Sequence, residues 1–204
     1  MMSRKPYINV DTTSLMPAHG FSKKRKIVIH ETISHDREGL SDITSIANYL
    51  GNKDYGVHLI VDQEGKSGYS KYERAIYYHV KGANKESIGI EKISYIPALN
   101  IGRWKRLKIW LGRERQLHKT ARWCAYYSKK HGIPLVYSKG KASGIMSHWD
   151  VTQSQHIAGG HWDAHPKHRG GHYPMKRLIK LARLYRNGKL TYKPMKSFGL
   201  GQST

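Results

Sequence analysis

Apolar residues recur along this chain in short runs separated by polar turns, and the period of the runs separates strands from helices. Residues 26–30, KIVIH, form an apolar run that ends in a polar residue and predicts a strand. In the following SDITSIANYLG, Ile43, Ile46, Ala47 and Leu50 fall at helical spacing, with Ser41 as the expected N-cap and Gly51 as the expected stop. VHLIVDQEGK predicts a strand and a turn at 63–65, and KSGYS the return strand. SIGIEKIS places Ile88, Ile90 and Ile93 in loose alternation and predicts another strand. Segment 94–112 has no usable period and is assigned as loop. Residues 113–132 predict an amphipathic helix with Leu117, Ala121, Cys124 and Tyr127–Ser128 on one face and Gly132 after a basic last turn. GIMSHWDV, residues 144–151, predicts a short strand running into a polar loop. Pro174 then opens a basic helix with Leu178, Leu181 and Leu184 inside and Gly188 after it. Strands alternating with helices around a central hairpin predict an α/β fold: a single domain with a central mixed sheet flanked by helices on both faces. The expected layout is an arm over 1–19, a domain over 20–187 and a polar tail over 188–204.

Composition narrows the function classes. The 204 residues suit one domain, and no apolar run approaches the ~20 residues of a membrane span. The basic N-terminus lacks an apolar stretch, so no signal peptide is expected. The expectation is synthesis in the cytosol, with any target outside reached only after release. Lys and Arg number 36 against 14 Asp and Glu, and the net charge of +22 favours polyanionic partners without choosing among them. A single cysteine, Cys124, excludes an intrachain disulfide and any multi-cysteine zinc site. The 13 histidines are the unusual feature, since imidazole is a common metal ligand.

Three residues stand where a metal site could be rigid. His30 and His148 each stand at the end of a predicted strand, and Asp163 lies in the loop beyond the second. Two imidazoles, a carboxylate and a water would make an open zinc site. Position alone does not select them, because the same loop offers His156, His165 and His168, and Asp150 is a rival carboxylate that could instead orient His148.

Four blocks, in order, tie these residues together: KIVIHET, YGVHLIVDQEGK, HVKGANKESIGIE, and SHWD followed by HWD. In this order and spacing the chain resembles the type 2 N-acetylmuramoyl-L-alanine amidases, whose fold is shared with peptidoglycan recognition proteins and phage endolysins. The resemblance covers roughly residues 20–186. It implies Zn2+ held by His30, His148 and Asp163, with Glu91 as general base. His161 would be the oxyanion donor, and His79, Asn84 and Tyr55 would be substrate-binding residues. The other readings are a surface carboxylate paired with Lys92 or Lys85 for Glu91, a histidine supporting the ligands from behind or lying at the surface for His161, and a buried histidine bonded to backbone for His79. Two departures matter. Val57 stands where part of the family has a tyrosine, which shifts weight to Glu91, and residues 163–166 read Asp-Ala-His-Pro in place of Asp-Pro-Gly.

The resemblance implies hydrolysis of the lactyl–L-Ala amide of bacterial peptidoglycan by a monomeric, endolysin-type enzyme of phage or prophage, released through a holin. The basic surface would hold anionic wall polymers. A non-catalytic peptidoglycan-binding module is the first alternative. A metal-dependent nucleic-acid enzyme is the second, suggested by the charge and by Trp104, Trp110, Trp123, Tyr126 and Tyr127. No nucleic-acid-binding motif supports it, and no nucleic-acid partner is expected.

Overall fold

The computed structural model of the chain describes residues 5–32, 40–96, 99, 101–157, 163 and 173–191, with backbone alone at 40 and 41. A six-stranded mixed sheet forms its centre, in the order β1-β4-β3-β5-β2-β6. The strands are β1 (Val10–Asp11), β2 (Lys26–Glu31), β3 (Leu59–Val61), β4 (Ser67–Tyr69), β5 (Ser87–Lys92) and β6 (Gly144–Ser147). Only the β3–β4 hairpin is antiparallel; β5, β2 and β6 run parallel, with β2 between the other two. The expected α/β mixed sheet is therefore present. Residues before 20, expected as an arm, supply β1, which pairs with β4 at the sheet edge.

Period-2 alternation divides the sheet between two apolar clusters. Ile27, Ile29, Leu59, Val61, Ile88, Ile90 and Ile145 face one way, onto residues of α2 (Arg103–Gly112), α3 (Glu114–His131) and α5 (Met175–Arg186). On the other face Ile60 packs with Ile43 and Ala47 of α1 (Leu40–Asn52). Val28 and Met146 meet Val151 of α4 (His148–Ser154) there. Helices thus cover both faces, as the two apolar sets require.

Local expectations need four corrections. Helix α2 occupies much of the segment assigned as loop, and its Trp110 is buried. It has no side-chain N-cap and no acidic residue in its first turn, so the usual start signals are missing. The polar stretch after β6 is helix α4, whose first turn is fixed by a capping box between Ser147 and Asp150. Helix α1 begins at Leu40, so Ser41 lies inside it and is not the cap. Gly51 does not stop α1 either. The helix runs to Asn52, and the chain turns at Asp54, whose φ is +61°. Gly51 is instead a point of close approach, because a Cβ there would stand 1.9 Å from the Leu15 carbonyl oxygen.

One ionic contact lies wholly inside the α2/α3/α5 face. Lys92 donates to Glu31 Oε1 at 2.9 Å, and both side chains are fully buried. The ammonium also sits 3.1 Å from the centroid of the Tyr173 ring and 4.5 Å from that of Trp110. Burial lowers its pKa to about 8 despite the Glu31 charge. Replacing Lys92 with Met should cost about 3–5 kcal/mol, because it strands the Glu31 carboxylate in an apolar core. Glu31→Gln combined with Lys92→Met should recover most of that loss in urea unfolding. A single variant as stable as the parent would show that the pair does not hold this core.

Candidate metal centre

The register of the parallel strands builds the site. Ile29 and Glu31 point into the large core, so His30 between them points to the opposite face. Its partner on β5 is Glu91, one step from the Glu31↔Lys92 pair. On the other side Ile29 pairs with Ser147, and His148 follows as the first residue of α4. Ser147 Oγ accepts from the Asp150 amide at 3.1 Å, and Asp150 Oδ2 accepts from the Ser147 amide at 2.8 Å. Tyr137 also donates its hydroxyl to Asp150. Asp150 therefore acts on His148 through the helix cap and is occupied there.

His30, His148 and Asp163 converge. One ligand atom from each lies within 4.8 Å of the others, and they form the one such group of three or more among the described residues. His30 Nδ1 is 3.1 Å from Asp163 Oδ2, and His148 Nδ1 is 3.1 Å from Asp163 Oδ1. All three side chains are buried or nearly so. Burial alone would raise the pKa of Asp163, but the His148 charge and the hydrogen bonds from His148 and His30 carry it well below the carboxylate range. Two nitrogens and a carboxylate oxygen are a zinc donor set. Ligand atoms of a tetrahedral zinc with bonds of 2.0–2.1 Å stand about 3.3 Å apart, so this donor set suits the ion and, spread within 4.8 Å, would close onto it.

Glu91 is buried at the finishing end of β5. Burial first, then the nearby Asp163 charge, holds its carboxyl well above the ordinary range. It is neither a surface residue nor the partner of Lys92, which is bonded to Glu31 on the opposite face.

The remaining expected residues fall in different places. His79 is not bonded to backbone through its ring: Nδ1 lies 3.0 Å from His30 Nε2, and Nε2 lies 3.0 Å from Ser87 Oγ. Burial first, then the adjacent His30 and His58 imidazoles, holds its pKa well below the ordinary imidazole value. Asn84 turns its carbonyl oxygen to the amides of His79 and Val80, at 3.0 and 2.7 Å, and so ties down the loop that carries His79. Tyr55 is exposed in the turn before β3, at the starting end of the sheet strands, whereas His30 and Glu91 lie at their finishing ends. His161, and the rivals His165 and His168, lie outside the described residues. His156 follows α4 and lines a surface hollow with Lys139 and Lys141, apart from the three-residue cluster. Of the aromatics offered for nucleic acid, Trp110, Trp123 and Tyr127 are in the core.

Two further residues shape the site. His58 is fully buried, accepting from the Gly89 amide at Nδ1 and donating to the Ala75 carbonyl from Nε2. Gly89 leaves the space that the His79 ring fills, since a Cβ there would meet that ring at 2.9 Å. The SIGIE block contains Gly89, but nothing in the sequence shows which ring it admits.

The fold has known counterparts. The profile of the family described as N-acetylmuramoyl-L-alanine amidase matches residues 21–166. The chain belongs to this family. Its fold is similar to that of the Staphylococcus aureus hydrolase AmiA in complex with its ligand, at TM-score 0.65 and 20% identity, covering 92% of this chain and 88% of that one. It is also similar to the endolysin N-acetylmuramoyl-L-alanine amidase LysCS of Clostridium intestinale URNW, at TM-score 0.54 and 16% identity over 87% and 96%. The bumblebee recognition protein PGRP-SA matches at TM-score 0.51 and 12% identity over 71% and 84%. No curated protein sequence matches significantly.

Gly89→Ala should displace the His79 ring and destabilise the domain by about 1–3 kcal/mol, the usual range for overpacking. Urea unfolding measures the loss, and an unchanged midpoint would mean that His79 does not occupy this space.

Proposed function

We propose that the chain is a zinc-dependent N-acetylmuramoyl-L-alanine amidase that cuts the lactyl–L-Ala bond of peptidoglycan. The observation that carries it is the convergence of His30, His148 and Asp163 beside Glu91, in a chain of the amidase family. His30, His148 and Asp163 would hold the ion. Zinc bound there would lower the pKa of a water toward ~7 and polarise a carbonyl. Glu91, on the neighbouring strand, accepts the proton of the attacking water at its carboxylate and returns it to the leaving amine. His161 is the proposed donor to the oxyanion. His79 and Asn84 support the site from behind. The complete set of three donors favours hydrolysis over a non-catalytic binding role.

Clearing of peptidoglycan should disappear after chelation and return with zinc. Glu91→Gln should lower kcat by about 10²–10⁴-fold while zinc stays bound. Full activity in metal-free protein, or in Glu91→Gln, would overturn the assignment. A lytic, endolysin-type role is the cellular setting proposed with it, supported by the fold shared with LysCS. The same clearing assay on intact cells reads that role.

The charge of +22 is proposed to hold the enzyme on anionic wall polymers. Exposed Lys176, Lys180, Arg183 and Arg186 on α5, and Arg103, Lys105 and Lys108 on α2, supply basic surface for it. Between about 0.01 and 1 M salt the Debye length falls from about 30 to 3 Å. Retention on wall sacculi should fall steeply over that range, while hydrolysis of a small soluble muropeptide changes little. Retention that is independent of salt would exclude the electrostatic hold.

A further inference from the structure

Behind His30 lies a chain of hydrogen bonds whose proton positions follow from its far end. Ser87 Oγ is 2.7 Å from the Ala83 carbonyl oxygen, which can only accept. The single hydroxyl proton of Ser87 is therefore committed to Ala83, and its oxygen can only accept from His79 Nε2 at 3.0 Å. His79 is thus protonated at Nε2 and presents a lone pair at Nδ1. His30 Nε2, 3.0 Å from that lone pair, must be the donor. With Nε2 carrying a proton toward His79, the His30 atom left for a divalent cation is Nδ1, which donates to Asp163 Oδ2 at 3.1 Å and would exchange that contact for the ion.

The loop is built to hold this order. Asn84 anchors the amides of His79 and Val80, and the 3-10 turn Asn84–Glu86 leads directly into Ser87. One short segment therefore fixes both ends of the His79 ring, and Gly89 gives it room. We propose that Ser87 and His79 are positioning residues that lock His30 in the Nε2–H tautomer, so that Nδ1 is presented to a divalent cation. This rests on the metal site proposed above. Outer groups of this kind change metal affinity by about 10–100-fold.

The test measures zinc affinity by competition with a chromophoric chelator, using the full chain and the variants His79→Leu, His79→Asn and Ser87→Ala. His79→Leu and Ser87→Ala should bind about 10–100-fold more weakly. His79→Asn, whose side-chain carbonyl can accept near the former Nδ1 position, should keep most of the affinity. In ¹⁵N spectra of the zinc-loaded parent, His30 and His79 should each carry their proton on Nε2. A parent that binds no zinc would overturn the metal site itself. A parent that binds zinc, with His79→Leu and Ser87→Ala equal to it, would overturn the tautomer lock alone. Equal loss in His79→Asn and His79→Leu would also overturn it, because packing and not an acceptor would then be what His79 supplies.

Discussion

The pairing of β2 with β5 is the constraint on which the rest depends. Its register sets His30 against Glu91 on one face and Glu31 against Lys92 on the other. Side chains alternate with a period of two, so a slip of one residue in either strand would exchange the faces. His30 or Glu91 would then enter the core of Ile27, Ile29, Ile88 and Ile90. The Glu31–Lys92 pair resists that slip, because each charge has its partner only in the observed register. The chemistry of the site and the packing of the core are thus set by the same hydrogen-bonded ladder.

The opposite face is organised around negative charge. The Asp163 charge disfavours ionisation of the buried Glu91, while His148 and His30 stabilise the charge on Asp163. A buried pair of this kind is costly without a cation. A divalent ion among His30, His148 and Asp163 would meet that need and would lower the cost of ionising Glu91. The abundant positive charge of the chain cannot do so, since the described α2 and α5 cations named above are exposed and screened by solvent.

What could be read from the sequence follows from the range of each interaction. Strands β2, β3, β4 and β5 and helices α3 and α5 were legible because their apolar periods are local. Helix α2 was not, because its first turn lacks both a cap and an acidic residue. Helix α4 is seven residues long, too short to show a period, although Ser147 and Asp150 at capping-box spacing were a usable signal. The three proposed ligands came from motif order, and the structure brings them together. The links from His79 to His30 and to Ser87 were not legible, because the first spans 49 positions and depends on Gly89 being bare.

The same separation of ranges explains how the fold persists at 11–20% identity among its structural neighbours. A sheet core accepts many apolar residues so long as period and volume are kept. The site depends instead on a few side chains drawn from distant segments: His30 on β2, His79 before β5, Glu91 at its end, His148 on α4 and Asp163 beyond. Each is held by contacts of its own, such as the Ser147–Asp150 cap for His148 and the Asn84 anchor for His79. Substitutions at the basic surface leave these contacts intact. A bulkier residue at Gly89 or the loss of Asn84 would reach the site without touching any of the three proposed ligands.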